Sequence, residues 1–400
     1  MKKHILVIAP SSYPINIAEA IVNAKLLKAL HKSDKFEIDL VSQNHKYVHY
    51  PKESIDIDIK SINIVETTLK PDFESIYLHA KALFHFGITF KGIHWAMKAL
   101  PIVKKLVKEN NYDYVLTKDG SSYVLGRYLK EKFGLKWIST CNDPFPSNKY
   151  PVPYGRGYDA PCNKGQQYSI ESIEKSDMIV FPSDRLRNYM LKYVNIAKEK
   201  TIVIPHVILD KNNNEKSICY NGKLKMVHSG NLKSPRNPET FLKALKKLKS
   251  ESGSFNLEVY VMGAFDAEMT EKIKEYGLED NIRLIPPMKY SESIEKLKEF
   301  DLALIIEAPC EEGIFLPTKV TDFLQEKIRI FSISPKVGVL NDLYNKGIIE
   351  FFANVEDVEE IYRTLKEISV SYSNGSLRRI DQANIQDFME ATIVNQHLNF

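Results

Sequence analysis

Short apolar segments alternate with longer amphipathic segments along almost the whole chain. Residues 4–9 have the length and apolar character of a buried strand, whereas residues 18–30 carry Ile21, Ala24 and Leu27 on one helical face. Strands that alternate with helices in this way are typical of parallel sheets covered by helices. The pattern therefore predicts an α/β protein.

A polar segment separates two such series and divides the chain. We expect two Rossmann-like doubly wound domains that face each other across a cleft, and a C-terminal helix that crosses back to the first domain. The predicted segments are 1–207 for the N-terminal domain, 208–222 for the linker, 223–378 for the C-terminal domain and 379–400 for the C-terminal helix. Ligands of such sheets bind outside the carboxyl ends of the strands, so we expect the chemistry in the loops that follow strands.

Composition and charge narrow the class of protein. The 400 residues are 44% apolar and carry a formal net charge of +4. This charge is too weak to demand a nucleic acid, although it permits an anionic partner or a cytoplasmic membrane surface. The four cysteines lack C-x-x-C spacing, which indicates neither a zinc site nor a disulfide framework and fits a reducing compartment.

The N-terminus and the apolar runs bear on localisation. Beyond Lys2 and Lys3 the chain continues directly as a predicted strand, so we expect no signal peptide. No apolar run approaches the roughly 20 residues that span a bilayer. We expect a cytoplasmic protein, and we leave open that it associates peripherally with the inner face of the membrane.

The loop at residues 228–238 follows a predicted strand and precedes a predicted helix. Gly230 and Asn231 allow a ligand to approach the backbone closely, and Lys233 and Arg236 add two cations beside the helix start. A diphosphate matches such a loop, since arginine offers phosphate oxygens a bidentate contact. The alternative is a pair of solvated charges on a surface loop.

A second cationic helix start lies at residues 316–324. We interpret Thr318 as its N-cap, and Lys319 and Asp322 as neighbours on one face of the first turn. The helix N-terminus and the lysine favour an anion, and the carboxylate can accept sugar hydroxyls. The alternative is a Lys319–Asp322 surface ion pair, which contributes little to stability. Two such starts in one half of the chain indicate a nucleotide-sugar site.

Further candidates lie in other loops that follow strands. Gly263 marks a strand exit, and Met288 lies in a proline-rich loop that could hold a flat base. In the N-terminal half, Asp119 and Asp143 could act as acid or base or bind acceptor hydroxyls. The alternative for either aspartate is an ordinary helix cap or turn residue.

Residues 83–98 are aromatic with interspersed basic residues. Such a surface could meet lipid head groups. The alternative is a buried helix of the first domain, which we favour because aromatic stripes usually belong to the core.

These motifs resemble GT-B glycosyltransferases, in particular the family 4-like (group 1) retaining enzymes that build bacterial polysaccharides. The similarity covers nearly the whole chain and is strongest between residues 225 and 334. Its motifs are residues 227–232 with 237–239, residues 281–284 with 301–304, and residues 316–319 with 322–324.

The resemblance implies a function. A sugar would pass, with retention, from a nucleoside diphosphate sugar held by the second domain to a saccharide or lipid-linked saccharide held by the first, in surface polysaccharide synthesis. It implies no metal and no further cofactor. Asp322 stands where the family usually has the glutamate that holds the ribose hydroxyls. Glu311 or Glu312 corresponds to the family's acidic position near the donor sugar, and Asp143 lies in a place comparable to its N-terminal histidine.

Two other functions stay open at this point. A nucleotide-sugar 2-epimerase could use the same fold and would need acid and base carboxylates. A non-catalytic GT-B-like scaffold subunit is the second alternative, because the family's glycine pair is missing from the loop at residues 10–14.

Overall fold

The structure is a computed structural model of the whole chain. It describes residues 2–46, 55, 57–68, 70–209, 218, 220, 222–251, 256–263, 267–377, 380 and 382–400. The chain divides into two compact units, the first comprising Met1–Leu209 with Asp387–Phe400 and the second comprising Asp210–Gln386. Within the predicted linker, residues 210–217, 219 and 221 lie outside the described residues.

The first unit is a seven-stranded parallel sheet in the order β3-β2-β1-β4-β5-β6-β7. Its strands are β1 (Lys3–Ile8), β2 (Phe36–His45), β3 (Ser61–Thr67), β4 (Tyr114–Lys118), β5 (Trp137–Thr140), β6 (Met178–Phe181) and β7 (Thr201–Val203). The helices of this part are α1 (Ala18–Lys32), α2 (Phe73–Phe86), α3 (Ile93–Glu109), α4 (Ser122–Phe133), α5 (Lys164–Ile173) and α6 (Asp184–Met190).

Strand β1 explains why helices cover both faces of this sheet. Its side chains alternate between the faces. Ile5 and Val7 join one apolar core together with residues of α1, whereas Leu6 and Ile8 join another with residues of α3 and α4. The order of strands reverses between β1 and β4, so the carboxyl ends of these two strands form the switch point of the sheet.

The second unit is a six-stranded parallel sheet in the order β10-β9-β8-β11-β12-β13. Its strands are β8 (Leu224–Ser229), β9 (Leu257–Met262), β10 (Ile282–Ile285), β11 (Leu302–Ile306), β12 (Arg329–Ser334) and β13 (Phe351–Asn354). Its helices are α7 (Glu239–Glu251), α8 (Ala267–Glu275), α9 (Tyr290–Leu297), α10 (Thr318–Gln325), α11 (Val339–Asn345) and α12 (Val358–Ser373). The switch point here lies between β8 and β11. The predicted α/β class with two Rossmann-like doubly wound domains is confirmed.

The last helix, α13 (Glu390–Leu398), belongs to the first unit. The ammonium of Lys32 on α1 lies 2.9 Å from the Glu390 carboxylate, and Ile393 and Phe400 are buried in the core that β1 shares with α1. The chain therefore crosses back to the first unit. The preceding residues stay with the second unit, where the Ile380 N–H donates to the Lys327 carbonyl.

The aromatic stretch at residues 83–98 falls into two helices. Gly87 ends α2 with a left-handed backbone (φ 68°), and α3 begins at Ile93. Trp95 is fully buried, in agreement with the buried helix that we favoured for this stretch. Phe84 on α2, however, is 89% exposed. The two halves of the stretch therefore have opposite environments.

Within the described residues, every helix falls short of the length and apolarity that a bilayer crossing demands.

We predict that Ile393→Ala lowers the free energy of unfolding of the first unit by about 2–5 kcal/mol, because it leaves a cavity in a buried core. Chemical denaturation, monitored through the hydrogen exchange of the β1 amides, measures this loss. Asn395→Ala, which changes an exposed position on the same helix, should cost less than about 0.5 kcal/mol. Equal effects of the two substitutions would contradict the packing of α13 on this unit.

Candidate functional site

Two glycine-containing loops meet at the carboxyl ends of β8 and β9. The Gly230 N–H donates to the Met262 carbonyl at 2.7 Å. Gly230 has φ +112° and Gly263 has φ +156°, conformations that side chains rarely adopt. A Cβ on Gly263 would lie 2.4 Å from the Gly230 carbonyl oxygen. Only glycine therefore allows these two predicted site residues to approach so closely.

Helix α10 brings Lys319 to the same place. Its first residue is Thr318, and extended Pro317 occupies the N-cap position without a side-chain capping bond. The interpretation of Thr318 as the N-cap was therefore wrong, because the proline, whose φ is −61°, already forms the extended step before the helix. A Cβ on Gly230 would lie 3.2 Å from the Lys319 Nζ, so the ammonium sits directly over the Gly230 backbone.

His228, at the end of β8, orients that ammonium. Its Nδ1 lies 3.1 Å from the Leu304 carbonyl oxygen, which can only accept, so Nδ1 carries the proton. The Nε2 is then an acceptor, and the Lys319 ammonium donates to it at 3.3 Å. Burial, reinforced by the charge of Lys319, holds the pKa of His228 well below its ordinary value. The imidazole therefore stays neutral and acts as a fixed acceptor.

Charges around Lys319 partly compensate each other. Burial lowers the pKa of the Lys319 ammonium to about 8, Glu307 and Asp322 oppose this shift, and Arg236 reinforces it. The Arg236 Nε lies 3.2 Å from Glu307 Oε2, and Glu307 is buried directly after β11. The cluster thus presents a destabilised ammonium beside a paired guanidinium, an arrangement that an additional anion would stabilise.

Asp322 also lies on α10, but its carboxylate bonds to Tyr290 of α9. The Tyr290 hydroxyl donates to Asp322 Oδ1 at 2.7 Å. Burial raises the pKa of Tyr290 well above its ordinary value, and the Asp322 carboxylate adds to the rise. The phenol therefore remains a donor that holds one carboxylate oxygen in place. Lys319 and Asp322 do share the first turns of α10, yet their side chains contact different neighbours.

The other predicted residues of this unit lie in the surrounding loops. Asn231 and Lys233 are exposed on the loop after β8, and Met288 is half-buried between β10 and α9. Glu311 is exposed and Glu312 half-buried in the loop between β11 and α10. Backbone bonds of Gly313 with Val337 (2.9 Å) and Val339 (2.8 Å) tie that loop to the start of α11 and the residues just before it. The roles of these residues remain predictions.

Asp143 belongs to the first unit, where it is exposed and hydrogen-bonded to Tyr150. A second carboxyl group of that unit, Asp119, lies at the carboxyl end of β4. Burial, and then the negative charge of Glu19, raise the pKa of Asp119 to about 7. The Ser11 N–H donates to Asp119 at 3.3 Å, and the Asn142 amide donates to Glu19 at 2.8 Å. Polar groups therefore also lie close together at the switch point of the first sheet, between β1 and β4.

Sequence reasoning missed three residues of this arrangement, namely His228, Glu307 and Tyr290, as members of the site. Glu307 carried a usable signal, since an acidic residue directly after a buried apolar strand lies at the binding edge of the sheet. His228 lies within the loop and the motif that the sequence singled out, but nothing local marked its side chain as a partner of Lys319. Tyr290 carried no signal, because its partner Asp322 is remote in sequence.

Residues 20–208 match the family profile of Glycosyltransferase Family 4. No curated protein sequence matches the chain significantly.

Solved structures resemble the whole chain. Sucrose-phosphate synthase from Thermosynechococcus elongatus superimposes with a TM-score of 0.68 at 13% identity, covering 100% of this chain and 98% of that one. Anabaena HepE in complex with UDP has a TM-score of 0.62 at 13% identity, with coverage of 100% and 99%. The lipopolysaccharide outer core galactosyltransferase WaaB in its apo form has a TM-score of 0.62 at 12% identity, with coverage of 99% and 98%. These similarities establish the fold as GT-B.

We predict that Gly263→Ala lowers the free energy of unfolding of the second unit by about 1–3 kcal/mol more than Gly277→Ala does. Both glycines have positive φ, but no atom lies within 4 Å of a Cβ at Gly277. The two glycines differ in φ, +156° at Gly263 and +65° at Gly277, so the comparison measures the clash with Gly230 together with the difference in backbone strain. Hydrogen exchange of the β8 and β9 amides measures the difference, and equal losses would show that the loops are not in close contact.

Proposed function

Since this chain has the GT-B fold and its residues 20–208 match Glycosyltransferase Family 4, we propose that it is a glycosyltransferase. It transfers a hexosyl or related sugar from a nucleoside diphosphate sugar to a saccharide or lipid-linked saccharide acceptor, with retention of the anomeric configuration. The proposed setting is the synthesis of a bacterial surface polysaccharide in the cytoplasm.

The observation that carries the proposal is the ammonium of Lys319 over the Gly230 backbone at the switch point of the second sheet. A diphosphate at this position would contact the ammonium and the first amides of α10. Arg236 lies beside it with its Nε on Glu307, and a guanidinium is a cation that suits phosphate oxygens. Two HepE structures that resemble this chain are complexes, one with UDP and one with UDP-glucose. They support a nucleotide sugar as the donor.

These cations would also serve the chemical step. As the bond between sugar and diphosphate breaks, negative charge grows on the leaving phosphate. Lys319 and Arg236 stabilise that charge from fixed positions, and the transfer proposed here uses no metal. Asp322, steadied by Tyr290, would accept the ribose hydroxyls, and Glu311 or Glu312 would face the donor sugar.

The acceptor is assigned to the first unit. Asp143 is the exposed candidate there, and Asp119 is the buried one whose raised pKa suits a group that exchanges protons near neutral pH. Peripheral association with the inner membrane face would bring a lipid-linked acceptor to this unit.

Two assays distinguish the proposed transferase from the epimerase and from the scaffold subunit. Incubation of UDP-glucose without acceptor yields a 2-epimer if the protein is an epimerase, and only slow hydrolysis if it is a transferase. A scaffold subunit would bind none of UDP, GDP and ADP in a thermal-shift panel. Formation of a 2-epimer, or the failure of all three nucleotides to bind, would overturn the proposal.

We predict that Lys319→Ala weakens the binding of UDP, or of whichever of UDP, GDP and ADP binds best, by about ten-fold or more. The loss follows from removing a charge-assisted contact in a partly desolvated site. Isothermal titration calorimetry measures it. Lys346→Ala, which removes an exposed lysine near the end of α11, serves as the control and should leave affinity unchanged. Unchanged affinity in Lys319→Ala would refute the site.

We further predict that the affinity for the nucleoside diphosphate falls as pH rises through about 8, where the pKa of free Lys319 lies. A bound anion favours the protonated amine, so binding is strongest when the amine is already charged and weakens by up to about ten-fold per pH unit above its pKa. Calorimetry between about pH 7 and about pH 9 measures the slope. Lys319→Arg, which stays charged, should give a flat profile, and the same slope in both proteins would assign it to another group.

A further inference from the structure

Two strands of the first sheet end in a polar residue on an otherwise apolar face. In β4, Tyr114 and Leu116 belong to the core that β1 shares with α1, and the alternation of side chains places Lys118 on the same face. In β5, Ile138 belongs to that core and Thr140 follows two positions later. Both polar side chains therefore lie on the α1 side of the sheet, at its carboxyl edge.

A cavity of the first unit lies beside these two residues. Its volume is about 20 Å³, which exceeds the roughly 10–15 Å³ that one water-sized species needs and leaves no room for a sugar. Helix α1 contributes Val22 and Leu26 to its wall, and α13 contributes His397. The described residues that line the cavity are apolar or can donate hydrogen bonds, and none of them is acidic. The cavity is therefore a small site with a polar end and apolar walls.

The polar groups at this cavity lack partners. Within the described residues, none accepts a hydrogen bond from the Lys118 ammonium, and Thr140 Oγ1 and His397 Nδ1 have no hydrogen-bond partner. All three side chains are more than nine-tenths buried. A buried ammonium or hydroxyl without a partner costs free energy, so a bound species that accepts hydrogen bonds would stabilise the fold.

The charges around the cavity favour a negative occupant. Burial lowers the pKa of Lys118, and the nearby carboxyl groups of Glu19 and Asp119 oppose this shift. The pKa of Asp119 is itself raised to about 7, so this group compensates the ammonium only in part at neutral pH. Burial and the charge of Lys118 lower the pKa of His397 to about 3, which keeps the imidazole neutral. Neither carboxyl group lines the cavity, so an anion there would offset the desolvation of the ammonium.

We propose that this cavity binds a small monovalent anion of the halide class, with chloride as the natural ligand. Chloride is close to water in size and would accept hydrogen bonds from the Lys118 ammonium and the Thr140 hydroxyl. As a weakly hydrated ion it tolerates the apolar wall that Val22 and Leu26 form. Phosphate and carboxylate groups are larger than the cavity. The site lies within the first unit, and its occupation is independent of the sugar-transfer reaction.

Thermal unfolding of the full chain at neutral pH tests the proposal, with sodium chloride compared against sodium gluconate at equal ionic strength. Gluconate is too large for the cavity and controls for charge screening. Chloride at about ten times its dissociation constant should raise the unfolding midpoint of the first unit by about 3 °C, and the rise should saturate. Lys118→Met removes the charge at similar volume and should abolish the difference between the two salts. Thr140→Val removes one donor and should weaken the affinity for chloride several-fold.

Lys132→Met is the matched control, since Lys132 is an exposed lysine on α4 of the same unit, and it should keep the full response to chloride. Crystals grown in sodium bromide should show an anomalous peak beside Lys118 Nζ and Thr140 Oγ1. Water there instead of bromide, equal midpoints in chloride and gluconate, or a full chloride response in Lys118→Met would each overturn the proposal. If Lys118→Met does not fold, an unchanged chloride affinity in Thr140→Val would overturn it instead.

Discussion

Parallel pairing of β8 with β9 on one side and β11 on the other is the constraint on which the candidate site depends. Parallel strands bring their carboxyl ends to one edge of a sheet. The loop carrying Gly230, the loop carrying Gly263 and buried Glu307 consequently converge there. Without this strand order, the same residues would be scattered over the surface of the unit.

The loops that converge at that edge bury an ammonium group among other polar and charged side chains. The Lys319 ammonium is held against a neutral imidazole and above a glycine backbone, and burial lowers its pKa to about 8. Such an amine is charged at neutral pH but poorly solvated, so a bound anion relieves part of the cost. The neighbouring Arg236–Glu307 pair prevents the positive charge from accumulating before a ligand arrives.

Much of this arrangement was predictable from sequence. The alternation of strands and helices indicates two doubly wound domains, and Gly230, Lys319 and Asp322 stand out because they follow strand exits or begin a helix. The partners of those residues were not predictable. Asp322 bonds to Tyr290, which is 32 positions away, and Lys319 bonds to His228, which is 91 positions away. No local pattern encodes contacts over such separations.

The sequence by itself determined which elements form, because hydrophobic periodicity and glycine or proline stops act within a few residues. It also determined which chemistry is available at the strand ends. Tertiary structure alone decided that Lys319 is desolvated and oriented by His228, and that Trp95 is buried while Phe84 is exposed within one aromatic stretch. The reason is physical, since burial depends on which elements pack against a residue, and strand order and helix layering set that packing only in the folded chain.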